Sequence, residues 1–204
     1  QLTRINKLSQ IPRSGLNNSL VSIKGLLALI TDSNAIYFYE YKPHTREIIL
    51  RDQIIFSSPL IEIESLALST DEKWLIIALS TVVTTLTDTT RPAVHIYKVN
   101  YLFTETNPPL PSKPSWQVLD PSHSLNSASL FSPVARFPVY FQPKTVAATS
   151  VDQSELLLAV GGGNGVELFR FSPAANQVTP VRLLHDSTSI SHVAFDAAGD
   201  YLGI

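Results

Sequence analysis

The side chains best suited to chemistry are scattered along the chain, and their spacing limits what each can do. Gly161-Gly162-Gly163-Asn164-Gly165 is a glycine-rich run. A phosphate-cradling loop of this composition opens a helix and carries Lys-Ser/Thr. Here the run leads into Val166-Glu167-Leu168-Phe169-Arg170-Phe171, which is strand-forming, and Asn164-Gly165 reads as a hairpin turn. The five histidines, His44, His95, His123, His185 and His192, include no His-x-x-x-His pair and so lack metal-ligand spacing. No Gly-x-Ser-x-Gly elbow presents a nucleophilic serine. The chain has no cysteine, which excludes disulfides, thiolate metal sites and thiol catalysis. Asp152, Glu155, Asp196 and Asp200 fall in or beside turns, where solvation explains them. General acid–base work would need two such carboxylates to converge. The sequence therefore assigns no catalytic, cofactor-binding or metal-binding residue.

Binding chemistry is better represented. Pro108-Pro109-Leu110-Pro111-Ser112-Lys113-Pro114 holds a Pro-x-x-Pro spacing with a basic flank, the polyproline II pattern that SH3-type grooves bind. Trp116, Phe131, Phe137, Tyr140 and Phe141 follow, and aromatics beside proline are suited to an interface or to packing back on the fold. Residues 1–31 carry Arg4, Lys7, Arg13 and Lys24 and no acid. Residues 152–204 carry six acids against Arg170 and Arg182. The expected partner-binding residues are thus Arg4, Lys7, Arg13, Lys24, Pro108, Pro111, Pro114, Trp116 and Phe131.

The elements that position these groups are strands. Apolar segments are short, rich in Ile, Val, Leu, Tyr and Phe, and bounded by turn residues. Ile61–Ser69 alternates, with Ile61, Ile63, Ser65 and Ala67 on one face and Glu62, Glu64, Leu66 and Leu68 on the other. Trp74–Leu79 reads as a short buried strand. Of 204 residues, 44% are hydrophobic and 16% charged, with a net charge of −2. That composition excludes a wholly disordered chain, because ample apolar surface is there to offset the entropy of ordering. No apolar run approaches the roughly 18 residues of a membrane-spanning helix. No signal-peptide core opens the chain, so an intracellular setting, cytoplasm or nucleus, is expected.

The chain repeats itself. Leu66–Ala78, Ala147–Ala159 and His192–Ile204 each read strand, polar turn, strand. Ile36–Tyr41, Val94–Val99 and Val166–Phe171 share a second pattern: apolar, any, apolar, aromatic, charged, apolar. Aligning Leu75, Leu156 and Leu202 gives spacings of 81 and 46 residues. The shorter spacing is close to the roughly 40–45 residues of a four-stranded propeller blade. The longer one holds a blade plus an insertion of about 35 residues by the same period. Residues 107–143 contain eight of the fourteen prolines and are expected to form that insertion as a surface excursion.

On these motifs the chain resembles a WD40-type β-propeller. Thr145–Ser150, Glu155–Val160, Val166–Phe171 and Thr179–Leu184 match the four strands of one blade. Leu183-Leu184-His185-Asp186, leading into Ile190–Phe195, is similar to the family's Gly-His junction. Asp196-Ala197-Ala198-Gly199-Asp200-Tyr201-Leu202 is similar to its Ser-Pro-Asp-Gly-x-x-Leu turn. Tyr39, Tyr97 and Phe169 stand where the repeat has Trp, but the following Asp is replaced by Glu40, Lys98 and Arg170. The expectation is an all-β, incomplete propeller of about three and a half blades. Residues 1–19 form a basic arm, and residues 20–204 form the blades, with a Pro/aromatic insertion at about 103–143. A partial blade is expected near 20–56, then blades near 57–105 and 144–184, and the first half of another from 185. The resemblance implies a non-enzymatic scaffold that binds other proteins of a multi-subunit complex, without cofactor or membrane, its propeller completed by further chain or another segment. The alternatives are a lactonase-like propeller enzyme with a metal at the channel mouth, and a subunit of an RNA-handling complex using the basic arm.

Overall fold

The computed structural model describes residues 20–23, 26–32, 34–42, 47–58, 60–82, 91–100, 130–152, 154–185, 189–196 and 198–204. They form fourteen strands and, among the described residues, no helix. The first blade is β1 (Leu20–Ile23), β2 (Leu26–Asp32), β3 (Ala35–Lys42) and β4 (Glu47–Ile55). The second is β5 (Ile61–Leu68), β6 (Trp74–Thr81), β7 (Ala93–Val99) and β8 (Phe131–Pro138). The third is β9 (Pro143–Ser150), β10 (Leu156–Gly162), β11 (Gly165–Ser172) and β12 (Gln177–His185). The fourth holds β13 (Ala194–Phe195) and β14 (Leu202–Gly203). Strands pair antiparallel in sequence order within each blade, giving sheets of four, four, four and two strands. First strands lie against first strands, β1 on β5, β5 on β9 and β9 on β13, so the blades are arranged about a common inner edge. This is the incomplete propeller that the repeats predict.

Stacking explains the hydrophobic pattern. Along β6, Leu75, Ile77 and Leu79 join the core against the first blade, while Ile76 and Ala78 join the core against the third. A strand covered on both faces is a continuous apolar run, and each such large side chain contributes about 1.5–3 kcal/mol over its exposed state. β10 repeats this with smaller residues on its far side: Leu156, Leu158 and Val160 face the second blade, and Ala159 faces the fourth. At Gly162 an added Cβ would lie 2.3 Å from the Gln142 carbonyl, so only glycine lets these backbones approach.

Polar pins cross every interface. Asp52 of the first blade accepts from Leu130 N at 2.7 Å. Gln142 pairs its side-chain amide with the Thr81 backbone in both directions, each at 2.9 Å. Thr145 Oγ1 accepts from Val193 N at 3.2 Å. Each satisfies a backbone group that the end of a sheet would otherwise leave without a partner.

The third and fourth strands share one irregularity. β3–β4 pairs Phe38 with Asp52 and then Tyr39 with Leu50, which makes Arg51 the extra residue of a bulge. β7–β8 does the same at Val134, and β11–β12 at Val181. In each blade the bulge directly precedes Tyr39, Tyr97 or Phe169, the aromatics that the sequence aligns.

Four sequence expectations need correction. The first blade is a complete four-stranded sheet rather than a partial one. The insertion does not reach residue 143, because Phe131–Pro138 is the fourth strand of the second blade. It accommodates Pro133 and Pro138 because it pairs only with β7, and an edge strand tolerates missing donors. The alternation of Ile61–Ser69 breaks at Glu64, where the register moves from Ile63↔Leu79 to Ser65↔Ala78. The bulge puts Ile63 and Leu66 in the same core. Of Ile190–Phe195, only Ala194 and Phe195 pair as a strand. Ile190 and Val193 instead pack on Ala147, Ala159 and Val166.

Candidate functional site

The turns between first and second strands lie together at one end of the blades. Thr70 Oγ1 accepts from Ser150 N at 3.0 Å, linking the second blade's turn to the third. Gly199 of the fourth blade's turn has φ +78, and an added Cβ would sit 2.5 Å from Thr149 Oγ1. The acids of these turns close the turns themselves. Asp71 Oδ1 accepts from Ser69 Oγ at 2.6 Å and Lys73 N at 3.2 Å. Burial acts to raise the Asp71 carboxyl, but these hydrogen bonds outweigh it and hold the group below its usual range. Asp152 is held low by the hydroxyl and backbone amide of Ser154, both at 2.6 Å. Asp196 Oδ1 accepts from Tyr201 N at 3.0 Å. Their geometry is that of turn capping, with each carboxylate engaged in its own loop.

Exposed apolar groups stand at both ends. Tyr140 is 88% exposed in the turn between the second and third blades. At the other end, Tyr201 is 74% and Val151 57% exposed. Lone exposed apolar residues are ordinary, but an almost free tyrosine on a turn anchored by buried Val139 and Phe141 is a rigid contact point.

The insertion is clamped at its base. Asn100 N donates to Leu130 O at 2.8 Å, and Asn100 Nδ2 donates to Ser132 Oγ at 2.7 Å. Val99 N donates to Lys73 O at 2.8 Å. Residues 101–129 therefore leave and rejoin the second blade at one point, beside the Ser69–Lys73 turn. Of the expected binding residues, Arg4, Lys7, Arg13, Lys24, Pro108, Pro111, Pro114 and Trp116 lie outside the described residues. Phe131 is corrected: it is 2% exposed and stacked on Phe38 with ring centroids 4.1 Å apart. It opens β8 facing the first blade, so it is core rather than contact surface. Phe137 and Phe141 are likewise buried, between the second and third blades.

Two buried ionisable groups escaped the sequence reading. His95 and Glu167 hold the same place in β7 and β11, two residues before Tyr97 and Phe169, each facing the preceding blade. His95 lies edge-on to Phe56 at 5.3 Å and stacks on Tyr97 at 6.4 Å, with Nε2 buried and without a hydrogen bond among the described residues. Burial, and then the charge of Arg136 on β8, lower its pKa to about 4. Burial pushes the neighbouring Tyr97 phenol up to about 12. Glu167 is 3% exposed, with Oε2 buried and without a hydrogen bond among the described residues. Burial raises its pKa, opposed by the backbone amide of Tyr140. The one signal for either was its strict alternation with core residues.

A buried carboxylate with one idle oxygen is costly when charged. Glu167→Gln keeps an acceptor for Tyr140 N and removes the charge. At pH 7 it is expected to raise stability by on the order of 1 kcal/mol, seen as a higher urea midpoint. Because the folded pKa is raised, the gain should shrink as the pH falls through the carboxyl range. A gain independent of pH would refute the charge explanation.

No family model and no curated protein matches the sequence. Solved structures do resemble the fold. A protein from Lactobacillus plantarum is 13% identical, with a TM-score of 0.48, covering 82% of this chain and 41% of its own. Saccharomyces cerevisiae Sqt1 is 13% identical, with a TM-score of 0.45, covering 79% of this chain and 34% of its own. The major Malassezia sympodialis allergen Mala s 1 is 12% identical, with a TM-score of 0.49, covering 87% of this chain and 53% of its own. The chain thus spans between about a third and about half of the length of these structures.

Proposed function

We propose that the chain is a non-enzymatic protein-interaction scaffold, a WD40-like propeller portion that serves as a subunit of a larger assembly. The supporting observation is the clamp at Asn100 and Leu130, which presents the Pro/aromatic segment from a rigid, fully packed blade. Rigid blades lower the entropy cost of binding, and an insertion rooted at one point supplies specific contacts. Pro108, Pro111, Pro114 and Trp116 are the contact residues on the insertion, and Arg4, Lys7, Arg13 and Lys24 supply a basic arm for an acidic surface of another protein.

The test deletes 101–129 and joins Asn100 to Leu130 through a short Gly-Ser turn. A wider deletion to residue 143 would remove β8 and its core. The expected result is a melting temperature within about 3 °C of the parent, because no described blade residue is lost. Capture of partner chains, identified by cross-linking mass spectrometry in the native cell, should fall at least tenfold (about 1.4 kcal/mol). Unchanged capture by a folded deletion would reject the insertion as the contact surface.

A further inference from the structure

The fourth sheet has two strands where its three siblings have four. Asp196 N donates to Tyr201 O at 3.0 Å, and Ala194 pairs with Gly203 and Phe195 with Leu202. In an antiparallel ladder, hydrogen-bonded and non-hydrogen-bonded pairs alternate. Asp196–Tyr201 is of the first kind, so Phe195–Leu202 is of the second. The N–H and C=O of Leu202 therefore point away from β13, along the open edge of β14.

The third blade continues beneath that open edge. β13 lies on β9, and Leu202 packs in the core that holds Ala147, Ala159 and Val166. Beyond them, Leu168 on β11 and Leu184 on β12 are only partly buried, and Arg170 and Arg182 are exposed. Arg170 reaches Glu155 at 3.4 Å, across a pair that is half in solvent. The uncovered floor is two strands wide, apolar at Leu168 and Leu184, and doubly cationic.

We propose that this floor and the β14 edge form a strand-addition site for an acidic β-hairpin of another protein. The hairpin's first strand pairs with β14 through the Leu202 backbone groups and lies over Leu168, and its second strand lies over Leu184. Apolar side chains alternate on its inner face with carboxylates that meet Arg170 and Arg182. Main-chain pairing gives affinity, and the alternate side chains give specificity. A second copy of this chain cannot serve. The two-fold that pairs β14 with its symmetry mate is perpendicular to the sheet, so both third blades would lie on the same side and overlap. This inference rests on the scaffold reading above, but it uses a different surface from the insertion.

The probe is a backbone-cyclised hairpin with aromatic and glutamate residues alternating on one face, compared with a version carrying lysine for glutamate. The expected result is at least tenfold tighter binding of the glutamate hairpin to the intact chain, with slowed hydrogen exchange at the Leu202 amide. Arg170→Glu with Arg182→Glu, both at exposed positions, should reverse the preference while leaving the melting temperature unchanged. Equal binding of the two hairpins, no reversal, or no protection at Leu202 overturns the proposal. Loss of partner capture in the 101–129 deletion with normal hairpin binding supports both readings. Normal capture with hairpin binding overturns only the insertion's role.

Discussion

Phe131→Ala is expected to lower stability by about 3–5 kcal/mol, read as a lower urea midpoint with an unchanged slope. The ring is 2% exposed, stacks on Phe38 and packs in one cluster with Leu130, Tyr97 and Val99. Truncation opens a cavity between the first and second blades, and the sheets flanking it are pinned by the Asp52–Leu130 hydrogen bond and cannot collapse freely. Phe131→Leu, which retains much of the volume, should cost well under half as much. The two variants separate packing from recognition. If Phe131 were a contact residue, alanine would leave the midpoint in place and weaken partner capture, and that outcome would refute its place in the core.

The second large effect is a dependence on acid. His95 has a folded pKa of about 4, below its ordinary 6.5, so the native chain binds fewer protons than the unfolded chain between those values. Its neutral form is the one that fits between Phe56 and Tyr97. Its contribution is therefore complete above the ordinary histidine pKa and is lost as the pH falls towards the folded value. The full shift corresponds to about 3 kcal/mol. His95→Leu should remove this component. Urea midpoints of parent and variant should diverge between pH 7 and pH 4, with the variant the more stable in acid. Carboxylates elsewhere titrate in both proteins and cancel in the difference. Parallel pH profiles would show that His95 does not gate the interface.

The third blade is almost legible residue by residue from sequence. Its four strands are bounded by polar turns and by the Gly163-Asn164 hairpin, and tertiary structure moves their ends by only a few positions. The fourth strand of the second blade is hidden, because Pro133 and Pro138 are breakers by local rule. Only its outermost place, which frees it from pairing on one side, makes the prolines acceptable. The slip at Glu64 is hidden for the same reason: a bulge is a property of the pair Ile63–Ser65 and Leu79–Ala78. His95 and Glu167 read as surface residues, since an alternating polar position in a strand ordinarily faces water. Here the next blade occupies that side.

The bulges at Arg51, Val134 and Val181 also bear on solubility at high concentration. A propeller portion presents long outer strands whose unused backbone groups invite runaway edge-to-edge aggregation. One extra residue per outer strand twists β4, β8 and β12 off a straight ladder, and Pro133 and Pro180 remove a donor next to two of the bulges. The outer rim is thereby a poor template for amyloid growth. A chain with Val134 and Val181 deleted should be the one that forms fibrils on storage.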